Sequence, residues 1–189
     1  MSVARSLHQA TLLQDGRVLV TLGISTAGVI SSNEIYNPQT NTWAAAAALP
    51  GAPSPALHSH RATMLYDGRV MLSGGNDGFG ETDSSFIYDP VGNVWLDTAG
   101  TGGRISDRRF NHTAPLLPNG ILLIAGGAQS STTNSYDSVE TFNVAASSWQ
   151  LSNGGLATSR QGHTMVLPQN GQLYVIGGEN NTQPIAQID

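Results

Sequence analysis

The feature that most constrains this chain is a sequence unit that occurs four times. Each unit begins with a histidine, continues through an apolar run to an Asp-Gly or Asn-Gly pair, and ends in a second apolar run followed by glycine. The histidines follow one another at intervals of 52, 52 and 51 residues and are His8, His60, His112 and His163. Repetition at this period predicts an array of similar supersecondary units.

The pair of small residues in each unit predicts a hairpin turn between two strands. Asp-Gly and Asn-Gly favour a type I′ turn, in which both residues have a positive φ. The pairs are Asp15-Gly16, Asp67-Gly68, Asn119-Gly120 and Asn170-Gly171. The strand after each turn is apolar nearly throughout, which indicates that it is covered on both faces.

Two further strands complete each unit. A Ser/Thr/Gly/Asn-rich segment, predicted to be an exposed loop, leads to an aromatic strand and then to a tryptophan strand. The segments are 24–33, 76–85 and 128–138, and the tryptophans are Trp43, Trp95 and Trp149. We expect these tryptophans to be buried at equivalent positions. Four-stranded sheets that are covered on both faces can stack radially in a β-propeller.

Paired glycines follow the second strand and allow a neighbouring segment to approach closely. They are Gly74, Gly75, Gly126, Gly127, Gly177 and Gly178. In the first unit Leu22 replaces the first glycine, so this unit is predicted to pack differently there. We interpret the four histidines as hydrogen-bonded structural residues, because residues that recur in every unit usually serve the unit.

The combined pattern of histidine, Asp-Gly turn, Gly-Gly, Glu-x-Tyr-Asn-Pro and tryptophan resembles kelch repeats, especially the bacterial repeats of galactose oxidase-like central domains. The resemblance covers essentially the whole chain. It implies an all-β fold, a kelch-type β-propeller, in a family where six or seven blades are common. We expect one domain, residues 1–189, of about three and a half four-stranded blades at 5–50, 57–99, 109–155 and 160–189, the last one incomplete.

The chain is therefore expected to form a partial propeller. Three and a half blades would leave apolar faces of the first and last blades exposed, and such faces are normally covered. The remaining blades would come from a longer chain or from a second protomer. We favour a longer chain, because the sequence begins and ends within the repeat pattern.

Composition excludes several function classes. The net charge is −5 without any run of like charges, so nucleic acid is not an expected partner. All eight basic residues are arginines, which removes lysine chemistry, and the absence of cysteine removes thiolate nucleophiles and cysteine-bound metals. No stretch has the length of a membrane span or the form of a signal peptide. The sequence does not indicate the cellular compartment.

Arginines are the main candidate binding residues. Arg104, Arg108 and Arg109 lie within six residues in a Gly-rich linker, and guanidinium groups bind carboxylates through paired hydrogen bonds. The resemblance adds that some kelch domains capture acidic peptides with arginine-rich faces. We predict an anion or acidic-peptide contact here. The alternative for Arg109, which shares a repeat position with Arg5 and Arg160, is a structural role in bonding backbone carbonyls.

Two arrangements could bind a metal. His58 lies two residues before His60, so both imidazoles would share one face of a strand and could bind a metal with a third ligand. The segment 76–83 carries three carboxylates among glycines, and calcium prefers such oxygen ligands, although the spacing differs from an EF-hand loop. A solvated turn is the simpler interpretation. We expect no metal site, no cofactor and no catalytic residue.

The sequence favours a non-catalytic interaction module that presents variable loops to a protein or glycan. One alternative is a fragment of a kelch-propeller enzyme acting on sugars, an oxidase or epimerase relative with its catalytic residues outside this chain. Another is a structural spacer. The resemblance also implies a test, because radical-copper oxidases of the family need a cysteine cross-linked to a tyrosine. This sequence contains no cysteine, so that cofactor cannot form within it.

Overall fold

In the computed structural model, the first repeat forms a four-stranded antiparallel sheet. The structure describes residues 1–51, 55–100, 103–129 and 134–189. The strands of the first repeat are β1 (Gln9–Leu12), β2 (Val18–Thr21), β3 (Ile24–Ser25), β4 (Gly28–Val29), β5 (Asn33–Asn37) and β6 (Thr42–Ala46). The sheet has the order β1-β2-β5-β6, and β3 and β4 form a separate small hairpin.

The second repeat forms a sheet with the same connectivity, and the third repeat forms a smaller one. Their strands are β7 (Arg61–Met64), β8 (Val70–Ser73), β9 (Ser85–Asp89), β10 (Val94–Asp97), β11 (Ile121–Ala125), β12 (Val139–Asn143) and β13 (Ser148–Leu151). In the third repeat the innermost strand is reduced to the bridges Thr113↔Ala125 and Leu116↔Leu122. Pro115 lies between these bridges and lacks the N–H that a regular ladder needs.

The fourth repeat contains two hairpins. They are β14 (Thr164–Val166) with β15 (Tyr174–Ile176), and β16 (Glu179–Asn180) with β17 (Gln183–Pro184). Val175 and Asp189 also exchange two backbone hydrogen bonds, of 2.9 and 3.0 Å, which begins a third strand. The sheets do not close on themselves, so the predicted all-β partial propeller is confirmed. The only helical element in the described residues is a 3₁₀ turn at Thr98–Gly100.

The hairpin turns occur at the predicted pairs, but the predicted type I′ geometry is wrong. In all four pairs, which the structure describes, only the glycine has a positive φ, between 76° and 85°. In the first turn Gly16 N–H donates to Leu13 O (3.0 Å), and Leu13 N–H donates to Arg17 O (2.8 Å). This is a three-residue loop that ends in a left-handed glycine. The Asp15 carboxylate accepts from Arg17 N–H (3.0 Å), a local bond that favours this loop.

Apolar side chains pack between neighbouring sheets and form the core. One buried cluster joins the first two blades and contains Leu19 of β2 together with Val70 and Leu72 of β8. A second cluster joins the second and third blades and contains Met71 of β8 together with Leu122 of β11. Strand β8 therefore contributes to both clusters. It is covered on both faces, as its uninterrupted apolar sequence predicts.

A chain of backbone hydrogen bonds connects the residues that precede the four repeat histidines. Ser59 N–H donates to Leu7 O (3.0 Å), Asn111 N–H to Ser59 O (3.1 Å), and Gly162 N–H to Asn111 O (3.0 Å). All four residues are left-handed, with φ between 53° and 63°. Three of them are not glycine, and a positive φ is energetically unfavourable for a residue that has a Cβ. The hydrogen bonds from blade to blade offset that strain, and we call them the axial ladder.

The repeat histidines attach each blade to the blade before it. A hydrogen bond joins His60 Nε2 to Thr21 Oγ1 (2.8 Å), His112 Nε2 to Ser73 Oγ (3.0 Å), and His163 Nε2 to Thr113 Oγ1 (2.8 Å). These three histidines are at most 3% exposed. The hydroxyl partners are buried as well. Each histidine therefore spans a dry contact between two sheets.

The glycine pairs make room for these histidines. A Cβ on Gly74 would lie 2.8 Å from His112 Cε1 of the next blade, and a Cβ on Gly75 would lie 3.0 Å from His60 Cβ of the same blade. The contacts to histidine recur at Gly126, Gly127 and Gly178, whereas the only close contact at Gly177 is Ile185 O at 3.7 Å. In the first blade, Leu22 takes the place of the first glycine. It is fully buried in the cluster between the first two blades.

The tryptophans occupy equivalent positions but are not equally buried. Each lies against the aromatic ring of the preceding strand, with centroids 4.9–5.0 Å apart. Trp95 Nε1–H donates to Ala47 O (3.1 Å) and Trp149 Nε1–H donates to Ser85 Oγ (3.0 Å), both in the preceding blade. Trp95 is 6% exposed and Trp43 is 40% exposed. The prediction of burial is wrong for Trp43, because the described residues contain no blade before the first to cover it.

Burial keeps three of the repeat histidines, His60, His112 and His163, neutral. It lowers the pKa of His60 to about 3 and that of His163 to about 4, and it holds the pKa of His112 well below 6.5. Nearby cationic side chains add to the effect at all three. Since the folded pKa is depressed, protonation favours the unfolded chain. The stability that these residues contribute is complete above pH 6.5 and is lost as the pH falls below that value.

Lowering the pH from 7 to 5 should therefore reduce the free energy of unfolding by about 1–2 kcal/mol for each buried histidine. This window lies above the pKa of ordinary carboxylates, about 4, so their titration adds little. Urea unfolding at the two pH values measures the difference. In His60→Gln the difference should shrink by the contribution of His60, about 1–2 kcal/mol, since this titrating group is gone. Equal free energies at pH 7 and pH 5 would contradict this account.

Candidate functional site

The variable segments fold into short hairpins at one end of the blades. They are β3–β4, the turn closed by the bridge Asn76↔Glu81, the turn closed by Ala128↔Ser135, and β16–β17. We call them the crest hairpins and their end of the blades the crest face. Because the second strand of each blade runs from the Asp-Gly or Asn-Gly turn to a crest hairpin, those turns lie on the opposite end, the turn face. In the third segment, residues 130–133 lie outside the described residues.

Each crest hairpin is anchored to the inner strand of its own blade. The residue two positions before each repeat histidine forms an isolated bridge with the base of the hairpin. The bridges are Ser6↔Ile24, His58↔Asn76, Phe110↔Ala128 and Gln161↔Glu179. The sequence predicted exposed loops, and the structure shows paired backbone that fixes the hairpins relative to the blades.

The second crest hairpin presents an aromatic side chain to solvent. Phe79 is 101% exposed, fully accessible. The Asp77 carboxylate accepts hydrogen bonds from Phe79 N–H (2.8 Å) and Gly80 N–H (2.9 Å), and Asn76 Oδ1 accepts from Gly78 N–H (2.8 Å). The tip is thus fixed by local hydrogen bonds.

The three predicted binding arginines differ in how far their side chains are exposed to solvent. Arg104 lies near Asp83 (3.4 Å) and donates to Ser84 Oγ (2.9 Å), and its side chain is 43% exposed. Arg108 is 65% exposed, with its Nε 3.8 Å from an Asp83 oxygen. Both therefore lie on the surface beside Asp83, and Arg104 Nη2 also lies 3.8 Å from an Asp97 oxygen. Arg109 is 0% exposed.

The side chain of Arg109 is buried inside its blade, where its donors bind acceptors of the same blade. Its guanidinium donates to Glu140 Oε1 (2.8 Å), to Ser138 Oγ (2.9 Å) and to Gly126 O (2.8 Å). Burial lowers the pKa of Arg109, and the neighbouring Glu140 and Asp107 oppose that shift. The prediction that Arg109 is available to an anion is wrong, because its donors are occupied. The structural alternative describes it better.

An ion pair equivalent to Arg109–Glu140 occurs in the first and fourth blades, and two apolar residues replace it in the second blade. Arg5 lies 3.6 Å from Glu34 in the first blade, and Arg160 contacts Asp189 in the fourth. In the second blade the two positions hold Leu57 and Phe86, each 2% exposed. Leu57 removes the cation and Phe86 removes its partner, so neither charge is left buried alone. Burial without a partner is what makes such charges costly.

His58 and His60 do not share a face as predicted. Ser59 between them has a φ of 55°, which breaks the alternation of an extended strand. His60 bonds to Thr21 in the interior, whereas His58 Nδ1 lies 3.1 Å from Ser59 Oγ beside the second crest hairpin. Burial lowers the pKa of His58, and the charge of Asp77 opposes the shift. The geometry gives no site for a metal between the two imidazoles.

The residues of this chain do not fit the radical-copper cofactor. The sequence has no cysteine to cross-link to a tyrosine. The described residues contain no group of three or more histidine, aspartate or glutamate side chains that could hold a metal ion. No helix in that part of the chain is long and apolar enough to cross a membrane.

Several known proteins are similar in sequence to this chain. No family model matches the sequence. Human Kelch-like protein 34 is 30% identical over 139 residues, which is 70% of this chain and 20% of that protein. Human Kelch-like protein 33 is 37% identical over 91 residues, 48% of the chain and 16% of that protein. A galactose oxidase of Gibberella zeae is 25% identical over 206 residues, 97% of the chain and 29% of that protein.

The small antiparallel sheets stack around the axial ladder and do not close into a ring. This arrangement is a partial β-propeller, which is the class of this protein. The relatives and the repeat pattern then identify the repeats. The chain belongs to the kelch-repeat β-propeller proteins, as the resemblance predicted. It spans less than a third of the length of each relative, at most 29%.

Sequence reasoning missed two features of this surface. Phe79 was passed over because a single aromatic residue in a polar segment carries no periodic signal. The left-handed residues of the axial ladder were missed because Leu7, Ser59 and Asn111 are not glycine. Their shared position directly before the repeat histidine was the available signal.

The replacement in the second blade predicts the behaviour of the ion pair in the third. Arg109→Leu should destabilise the chain by about 3–5 kcal/mol, because it leaves Glu140 buried without a counter-charge. Adding Glu140→Phe should recover a large part of that loss, since it recreates the pairing of Leu57 with Phe86. Urea unfolding of both single variants and the double variant measures the coupling. Losses that simply add would show that the two positions are not exchangeable as a pair.

Proposed function

We propose that the chain is a non-catalytic kelch-repeat interaction module that presents its crest face to a protein partner. The observation that carries the proposal is the second crest hairpin, which presents a fully exposed Phe79 on a backbone held by three local hydrogen bonds. The other described hairpin tips have the sequences Thr26-Ala27 and Asn181-Thr182. A shared backbone anchor with different tips is suited to selective recognition.

Phe79 has the properties of a binding anchor. Aromatic residues dominate the binding energy of many interfaces, and an ordered anchor loses little conformational entropy on binding. Exposure of a phenylalanine has no benefit for the blade itself, because its ring covers none of the core. A partner with an apolar pocket would remove it from water, which favours association.

Arg104 and Arg108 are the proposed polar contacts around this anchor. Both lie on the linker that pairs with the second crest segment, since Ile105 N–H donates to Asp83 O at 3.1 Å. Their exposed guanidinium groups share Asp83, and Arg104 also lies 3.8 Å from Asp97; with five N–H donors on each guanidinium, donors remain for a partner. Exposed ion pairs contribute little stability, so exchanging Asp83 for a ligand carboxylate costs little.

The relatives support a protein partner only because they belong to the kelch-repeat family; they do not indicate which protein it is. Two of them carry the name Kelch-like protein, and the chain covers a small part of each. The match to galactose oxidase covers nearly the whole chain, but this sequence lacks the cysteine that the radical-copper cofactor requires. A glycan is the alternative ligand for the same face, and a glycan array probed with the same variants distinguishes it.

The test compares two exposed apolar residues on opposite faces. Phe79 lies on the crest face, and Val91, which is 95% exposed, lies beside the turns of the other face. Proteins captured by the wild-type chain are identified, and their affinities for Phe79→Ala and Val91→Ala are measured. Phe79→Ala should weaken binding by about 30-fold, as expected for a central aromatic anchor. Val91→Ala should leave it unchanged, and both variants should keep the wild-type melting temperature.

Two results would contradict the proposal. One is a partner that binds Phe79→Ala as tightly as the wild-type chain. The other is equal weakening in Val91→Ala, which would show that the turn face takes part or that exposed apolar residues act without specificity.

A further inference from the structure

One arginine has no carboxylate partner among the residues that the structure describes. Seven of the eight arginines form an ion pair within the described residues. The pairs are Arg5–Glu34, Arg17–Asp15, Arg69–Asp67, Arg104–Asp83, Arg108–Asp83, Arg109–Glu140 and Arg160–Asp189. Arg61 is the exception. In an acidic chain that pairs every other guanidinium, an unpaired one is a candidate site for an external anion.

The placement of Arg61 leaves one edge of its guanidinium free. Arg61 begins β7, the inner strand of the second blade, and its Nε–H donates to His112 O of the third blade. Neither Nη atom has a hydrogen-bond partner among the described residues. A guanidinium held through Nε keeps the Nη1–Nη2 edge for an acceptor, and that edge matches the two oxygens of a carboxylate.

Arg61 lines an open groove. The groove, about 260 Å³, runs along the inner strands of the second to fourth blades and is lined by Arg61, Thr113, Pro115 and Thr164. Thr164 is exposed there and has a hydroxyl that can donate to an anion. The groove therefore combines one cation and a hydroxyl with apolar walls, as small-ligand sites commonly do.

The electrostatic surroundings agree with an unneutralised charge. The pKa values of His60, His112 and His163 are lowered first by burial, and the positive charge of Arg61 lowers all three further. No carboxylate of the described residues pairs with Arg61 to cancel this field. A bound monoanion would cancel it.

We propose that Arg61 binds the carboxylate of an acidic side chain through its free Nη1–Nη2 edge, in the groove along the inner strands. That the carboxylate belongs to a protein partner rests on the proposed function, whereas the anion site itself does not. A carboxylate fits better than a phosphate dianion, because the groove offers one cation and the other arginines are paired. The chain already uses the same chemistry within its blades, where arginines bind aspartate and glutamate.

The experiment uses the 189-residue chain and acetate as the probe. Side-chain Nε–H and backbone amide resonances are followed by NMR during titration, with chloride replacing acetate at constant ionic strength as the reference. The Arg61 Nε–H and the amides of 112–114 should shift and saturate with acetate and not with chloride. Arg61→Gln should raise the dissociation constant at least about ten-fold, and the matched control Arg17→Gln on the turn face should leave it unchanged.

A second variant keeps the test independent of folding. Arg61→Lys retains the charge but loses the fork, so binding should be intermediate between wild type and Arg61→Gln. No saturable shift in the wild-type chain, or equal binding by Arg61→Gln, would overturn the proposal. Saturation by inorganic phosphate without saturation by acetate would overturn the choice of a carboxylate. If acetate binds at Arg61 and Phe79→Ala leaves protein binding intact, the proposed function fails while the anion site stands.

Discussion

The contact between consecutive blades is the interaction on which the rest of this structure depends. At the axis, the left-handed Ser59 donates its N–H to Leu7 O of the preceding blade. The adjacent His60 forms a hydrogen bond with the buried hydroxyl of Thr21 in that same preceding blade. A four-stranded sheet of this size cannot cover both of its own faces. Each blade is therefore completed by its neighbour, and stability is distributed along the array as in other repeat proteins.

This constraint explains which residues recur and which vary. The histidines, the glycine pairs and the tryptophans touch the neighbouring blade, so replacing one of them affects two sheets at once. The exchange of Arg109 and Glu140 for Leu57 and Phe86 shows that a recurring pair can change if both members change together. Backbone bridges anchor each crest hairpin to the inner strand of its own blade, and further bonds such as Ser135 Oγ–H to Glu179 O (3.3 Å) connect neighbouring hairpins. Exposed tip side chains such as that of Phe79 can serve recognition.

Much of the fold could be predicted from the sequence, because repetition multiplies a weak local signal by four. The turns at Asp15-Gly16 and its equivalents, the buried second strands and the partial propeller all came from that pattern. The predicted geometry failed where it depended on neighbours in space. Whether Arg109 faces solvent or Glu140, and whether Trp43 is covered, depends on contacts from other segments that the local sequence does not reveal. The free edge of Arg61 is likewise visible only after every other arginine has been paired.

The measurement that tests the account most directly is native-state hydrogen exchange at the axial ladder. The amides of Ser59, Asn111 and Gly162 each donate to the preceding blade, whereas Leu7 N–H has no partner among the described residues. If the blades complete one another, the three ladder amides should exchange only through global unfolding, with one common free energy, and Leu7 should exchange far faster. Ladder amides that exchange as fast as Leu7, or blade by blade with separate free energies, would contradict the account.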